Sequence, residues 1–264
     1  MSMGTVVSEI ADGRATITLN NQELRNALTV EVAEELQAAI DEVSESDARC
    51  VVVQGSDGYF CAGGDIEAML EGVTGNLSTS EKIEGYARPI NEAVQAVAEC
   101  PLPTVAKVDG PAFGAGGALA LACDIVLASE RAKISFGFRQ VGLSVDSGTS
   151  ALLPRVVGEN IAKELVYTGE LVEPDRAVEL GLFNRVFETT EFDRRAEEVV
   201  ERIATGPTLA LEHSKQLLEA GHRRTVAEAI DAELDAIETI AETDDHEEGV
   251  RAFVERRDPS FDGR

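Results

Sequence analysis

Runs of β-forming residues alternate with helix-patterned stretches over the first two-thirds of the chain and then stop, and this change of rhythm limits the fold most. Residues 5–20 read as a hairpin: V-V-S-E-I, the turn A-D-G-R, then A-T-I-T-L. N-A-L-T-V-E-V-A-E-E-L-Q-A-A-I-D-E-V follows with apolar residues near helical spacing and Thr29 three residues ahead of Val32, which predicts a helix start. The buried-strand run C-V-V-V-Q-G closes a first β-α-β unit. The unit then repeats, with a long polar helical stretch near residues 80–99, a strand at 104–108, a glycine cluster opening a helix, and the strand D-I-V-L-A-S at 124–129. Alternation of this kind predicts an α/β fold with a mostly parallel sheet and crossover connections. From about residue 191 only amphipathic helices remain: E-F-D-R-R-A-E-E-V-V-E-R-I, T-L-A-L-E-H-S-K-Q-L-L and V-A-E-A-I-D-A-E-L-D-A-I-E-T-I. Such a tail is either a small subdomain or an oligomerisation surface. No Pro/Ser/Gly linker sets it apart, so the reading is one functional unit with a core at 1–190 and a helical region at 191–264.

Charge narrows the partners. Asp and Glu number 49 against 23 Lys and Arg, a formal charge of -26 spread along the whole chain. That excludes the basic stripe that nucleic acids and anionic membranes require. Uniform acidity also suits a protein kept soluble in molar salt, where screening suppresses self-repulsion, and a halophilic source is the expectation. Cys50, Cys61, Cys100 and Cys123 show no C-x-x-C spacing and read as buried free thiols of a reducing compartment. His213, His222 and His246 show no zinc-ligand spacing, so no metal is expected. The N-terminus has no signal-peptide pattern and no apolar run reaches spanning length, which points to a cytoplasmic protein with no membrane partner.

Two glycine-bearing stretches carry the chemistry. G-P-A-F-G-A-G-G-A, residues 110–118, lies between the strand P-T-V-A-K-V and the small-residue helix A-L-A-L-A-C-D. Free backbone N–H groups at such a helix start receive something negative: a phosphate, a nucleotide or a developing oxyanion. The dinucleotide fingerprint fails, because its third glycine would fall at Leu119, and the P-loop fails because no Lys-Ser/Thr follows. Small residues for close helix packing remain the plain structural alternative. Y-F-C-A-G-G-D-I, residues 59–66, again follows a buried strand. Two such elements at the C-terminal ends of parallel strands could aim two N–H groups at one oxygen.

The pair F-C-A-G-G-D-I and V-D-G-P-A-F-G-A-G-G-A-L-A-L-A-C-D resembles the crotonase family, the enoyl-CoA hydratase/isomerase superfamily, and the likeness runs from R-N-A-L to E-G-V-R-A-F-V-E-R-R-D-P-S-F. The resemblance implies a spiral of repeated β-β-α units and a C-terminal helical region that makes a homotrimer or a dimer of trimers. It also implies acyl-CoA thioester substrates, with coenzyme A arriving as part of the substrate and no separate cofactor. The thioester carbonyl would sit between the N–H groups of Gly64 and Ala115, which stabilise the charge of an enolate and not the neutral carbonyl. Around them, Ala27, Ala62, Gly63, Asp65, Ile66, Gly114 and Phe138 match binding positions, with Asp65 read as capping or orienting its loop.

The acid/base groups depart from the hydratase pattern. Hydratases of this family hold water with two glutamates, whose matching positions here are Ala118 and Phe138. Asp146, in Q-V-G-L-S-V-D-S-G-T-S, matches the acidic residue of the family's enoyl-CoA isomerases, and one carboxylate suffices for a 1,3-proton shift. An N-cap role ahead of A-L-L-P-R-V-V stands beside that reading. The family's aryl-CoA dehalogenases also use an aspartate there, but their local Trp and His are missing: the chain has no Trp and its three His lie in the helical tail. For the CoA phosphates the leading candidate is Arg25, with Arg256 and Arg257 behind it, each with a surface ion pair as its alternative. The expected activity is therefore enoyl-CoA isomerisation, with a hydratase, an acyl-CoA hydrolase or a non-catalytic acyl-CoA binding protein as alternatives.

Overall fold

A computed structural model describes residues 4–75 and 77–264. The hairpin forms as expected, from β1 (Val6–Ala11) and β2 (Arg14–Leu19), with Asp12 and Gly13 both at positive φ in the turn. Parallel pairing then adds β3 (Cys50–Gly55), β4 (Thr104–Val108), β6 (Ile125–Ser129) and β8 (Arg185–Phe187), giving one sheet in the order β1-β2-β3-β4-β6-β8. The glycine-rich connection after β4 contains a short strand the pattern did not announce, β5 (Pro111–Phe113), which pairs in parallel with β7 (Lys133–Ser135) in a small second sheet. Three-residue strands carry too little periodicity to be read from sequence.

Strand β3 is apolar without alternation because both of its faces are covered. Val51 and Val53 face a core shared with helices α1 (Val30–Ser44) and α4 (Arg88–Ala98). Cys50 and Val52 face a second core, closed by Phe192, Ala196, Val200 and Ala204 on α9 (Phe192–Ala204), one residue per turn along a single stripe. The boundary at 191 thus separates elements by type and not by core, since α9 is the second layer of the sheet. Thr29 caps α1 by accepting from the Val32 N–H, a bond of the kind worth about 1 kcal/mol.

The polar stretch near residues 80–99 is not one regular helix. A short helix α3 (Thr79–Lys82) runs into a π-helical turn (Ile83–Ala87), in which the Arg88 N–H reaches back to the Ile83 carbonyl, before α4 begins. Helix α2 (Ile66–Thr74) precedes it, and α5 (Ala115–Ala122) follows β5. The remaining helices are α6 (Thr149–Val157), α7 (Glu159–Thr168), α8 (Pro174–Glu179), α10 (Thr208–Gly221), α11 (Val226–Ile240) and α12 (Asp244–Glu255). Among the described residues no helix is long and apolar enough to cross a membrane, and no His/Cys/Asp/Glu cluster could hold a metal.

Candidate functional site

The two glycine stretches interlock. Phe60 and Cys61 donate their N–H groups to the Pro111 carbonyl at 3.2 and 3.1 Å, and Phe113 donates back to the Cys61 carbonyl at 3.0 Å. On the other side the loop is held by Ala62 N–H to the Arg25 carbonyl at 3.1 Å and by Leu28 N–H to the Gly63 carbonyl at 2.7 Å. The backbones approach so closely that a Cβ on Gly63 would lie 2.5 Å from the Phe113 oxygen, and one on Gly116 would lie 2.3 Å from the Cys61 oxygen. Gly63 also needs φ +93, a region closed to ordinary side chains. The glycines here are required by close packing of the two backbones.

Two donors remain free in this junction. Among the described residues no acceptor meets the N–H of Gly64, nor that of Ala115, the first residue of α5. The Gly63 Cβ position lies 3.7 Å from the Ala115 nitrogen, so the two stretches adjoin at that point. Gly114, at φ +53, turns the chain into the helix and donates its own N–H to the Ser135 carbonyl at 2.8 Å. Helix α5 is buried along its whole length, which places the positive end of its dipole in an apolar surround.

The expected residues fall as follows. Ala27 is buried beside Asn26, whose Nδ2 donates to the Ser56 and Tyr59 carbonyls at 2.9 Å each and so pins the loop. Asp65 caps α2, accepting from the Glu67 and Ala68 N–H groups, which is the capping role expected of it. Ile66 follows at the surface. Ala118 is 0% exposed and Phe138 8%, with the Phe138 ring edge 3.9 Å from the Cβ position of Gly114. Both places are apolar and closed. Cys61 is buried between the stretches, and burial pushes its thiol up to about 12, so it stays protonated and inert.

Asp146 does not cap α6. Gly148 occupies the cap position, with no side chain bonded there, while the Asp146 carboxylate accepts from the Ser147 hydroxyl at 3.0 Å. Burial raises the Asp146 pKa and this hydrogen bond opposes the rise. Tyr86, on the π-helical turn, borders the glycine junction. The Tyr86 hydroxyl donates to the Asp65 carbonyl at 3.0 Å, and its Oη would lie 2.9 Å from a Cβ on Gly64. Burial raises the phenol's pKa, and the charges of Asp65 and Asp146 raise it further despite the bond to the Asp65 backbone. Nothing local in the sequence marks Tyr86, Asn91 or Ser147: a π turn leaves no periodic trace around Tyr86, Asn91 is an ordinary polar position of α4, and Ser147 reads as an ordinary loop serine.

The basic candidates separate. Arg25 is exposed, its guanidinium 5.6 Å from the Tyr59 ring centroid, and its backbone holds the Ala62 loop. Arg257 instead pairs with Glu248 and Glu255, the surface alternative, and Arg256 is the exposed left-handed end of α12.

Residues 9–264 match the family described as enoyl-CoA hydratase/isomerase. The chain belongs to that family. It is similar to a probable enoyl-CoA hydratase of Rhodobacter capsulatus, 34% identical with all of both chains covered. It is also similar to the 1,2-epoxyphenylacetyl-CoA isomerase of Escherichia coli, 32% identical over 99% of this chain and 100% of the other. Among solved structures, an enoyl-CoA hydratase from Bacillus anthracis superposes with a TM-score of 0.91 at 28% identity, covering 98% of this chain and 100% of that one. The crotonase fold and family expected from the two glycine stretches are thereby established.

Proposed function

We propose that the protein moves the double bond of an enoyl-CoA thioester from the 3 to the 2 position, with Asp146 carrying the proton. In this reading the ionised Asp146 takes a proton from C2, the electrons shift through the C3–C4 bond's conjugated system, and the resulting dienolate oxygen lies between the N–H groups of Gly64 and Ala115. The carboxylic acid then returns the same proton to C4, which leaves the 2-enoyl thioester and the starting carboxylate. No cofactor is consumed, and coenzyme A enters as part of the substrate. The observation that carries the proposal is the burial of Ala118 and Phe138, apolar side chains at the two positions that the resemblance matches to the hydratases' glutamates, together with a half-buried carboxylate at Asp146. Phe138 excludes water that would add to the conjugated product. Arg25 is assigned to the CoA phosphates. The Escherichia coli relative, by its name, acts on 1,2-epoxyphenylacetyl-CoA, so a ring-bearing thioester belongs among the substrates tried.

The helical tail supports self-association as a second element of the proposal. Phe253 is 86% exposed, and Leu218, Val226, Ile237 and Val254 are exposed with it on α10, α11 and α12, an apolar surface suited to further copies of the chain. For the reaction, Asp146→Asn tests the assignment: isomerisation is lost while CoA binding persists, and retained turnover would end the proposal.

A further inference from the structure

Ser147 is 1% exposed and adopts φ +51, a left-handed conformation that a residue with a Cβ holds only where its neighbours fix it. Two side chains meet it. Its hydroxyl donates to Asp146 Oδ1 at 3.0 Å, and its N–H donates to Asn91 Oδ1 at 2.7 Å. Asn91 is anchored in turn, its Nδ2 donating to the Ala87 carbonyl at 2.6 Å. The turn closes with the Thr149 N–H on the Asp146 carbonyl at 2.9 Å. One helical segment therefore grips both loops: Tyr86 of the π turn holds the Gly64 loop through Asp65, and Asn91 of α4 holds the Asp146 turn.

We infer that Ser147 and Asn91 are positioning residues for Asp146: the hydroxyl occupies Oδ1 and leaves Oδ2 to meet the substrate carbon, while Asn91 fixes the turn that carries the carboxylate. The inference rests on the reading of Asp146 as the proton carrier. Its consequence is a tuned base. The Ser147 hydroxyl favours the ionised carboxylate and opposes burial. The Tyr86 phenol, which feels the Asp146 charge, is kept protonated by burial, so its charge is constant through the working range.

The test is the pH profile of kcat with 3-hexenoyl-CoA for Ser147→Ala, Ser147→Gly, Asn91→Leu and Asp146→Asn. Loss of a hydrogen bond to a charged acceptor moves the acid limb of kcat upward by about one pH unit in both Ser147 variants, with KM within about twofold of the parent. Glycine accepts φ +51 without strain, so Ser147→Gly is readable even where Ser147→Ala loses stability. Asn91→Leu lowers kcat by about tenfold across the pH range without raising KM, as a misdirected base does. An acid limb unmoved in Ser147→Gly, with Asp146→Asn inactive, overturns this inference and leaves the Asp146 assignment standing. An active Asp146→Asn overturns the assignment itself.

Discussion

Gly63→Ala is the sharpest perturbation of the junction that the site depends on. The new Cβ would sit 2.5 Å from the Phe113 carbonyl oxygen. Ordinary carbon–oxygen contact needs roughly 3.3 Å, so the two stretches must part by about 0.8 Å, and the N–H groups of Gly64 and Ala115 part with them. A displacement near 1 Å at a reacting centre costs on the order of 10²-fold, and loss of one oxyanion donor costs about 10²–10³-fold, so kcat falls by roughly 10²-fold. The backbone adds its own cost. At φ +93 an alanine is strained by about 2 kcal/mol, which for a chain this size lowers Tm by roughly 4–8 °C. Gly58→Ala isolates the second effect, because Gly58 also has positive φ (+73) but its Cβ would meet nothing within 4 Å. Isomerase kinetics and thermal unfolding of both variants separate collision from strain. A Gly63→Ala enzyme with parental kcat, or one no slower than Gly58→Ala, would refute the two-donor geometry.

Other consequences follow from the same structure. Burial holds the folded-state pKa of Asp146 above its unfolded value, so ionising it costs folding free energy; the cost is absent below the unfolded pKa of about 3.9 and complete above the raised folded pKa. Asp146→Asn therefore raises Tm at neutral pH, and unfolding scans repeated in acid should show that gain vanish. Arg25→Ala raises KM for CoA thioesters about tenfold with kcat held, and added salt narrows the difference from the parent; kinetics at two ionic strengths check this. Phe253→Asp places a charge on the exposed apolar surface of α12 and lowers the mass measured by light scattering toward that of one chain, with secondary structure intact by circular dichroism.

The sequence made much of this architecture legible for a physical reason. Strand β3 and helix α1 follow rules that act over a few residues: a doubly buried strand is continuously apolar, and a Thr three residues before Val32 caps. The junction glycines stand out in the sequence as clusters, while the contact that requires Gly116, a Cβ position 2.3 Å from the Cys61 oxygen, forms only in the fold. Tyr86, Asn91 and Ser147 escaped because their roles exist only after distant segments meet. Asn91 lies 56 positions from the N–H it accepts, and Tyr86 lies 21 from the carbonyl it binds. The N-cap reading of Asp146 fell to a similar cause: with Ser147 and Gly148 left-handed, the carboxylate accepts from the Ser147 hydroxyl and no side chain caps the α6 N–H groups.

The central claim, isomerisation by one carboxylate with water kept out, is tested most directly by following conjugated-thioester absorbance in concentrated KCl, with 3-hexenoyl-CoA and crotonyl-CoA supplied separately. A rise with the first and no change with the second is the predicted result. Loss of absorbance with crotonyl-CoA, with 3-hydroxyacyl-CoA as product, would contradict the account by showing that Ala118 and Phe138 do not prevent hydration.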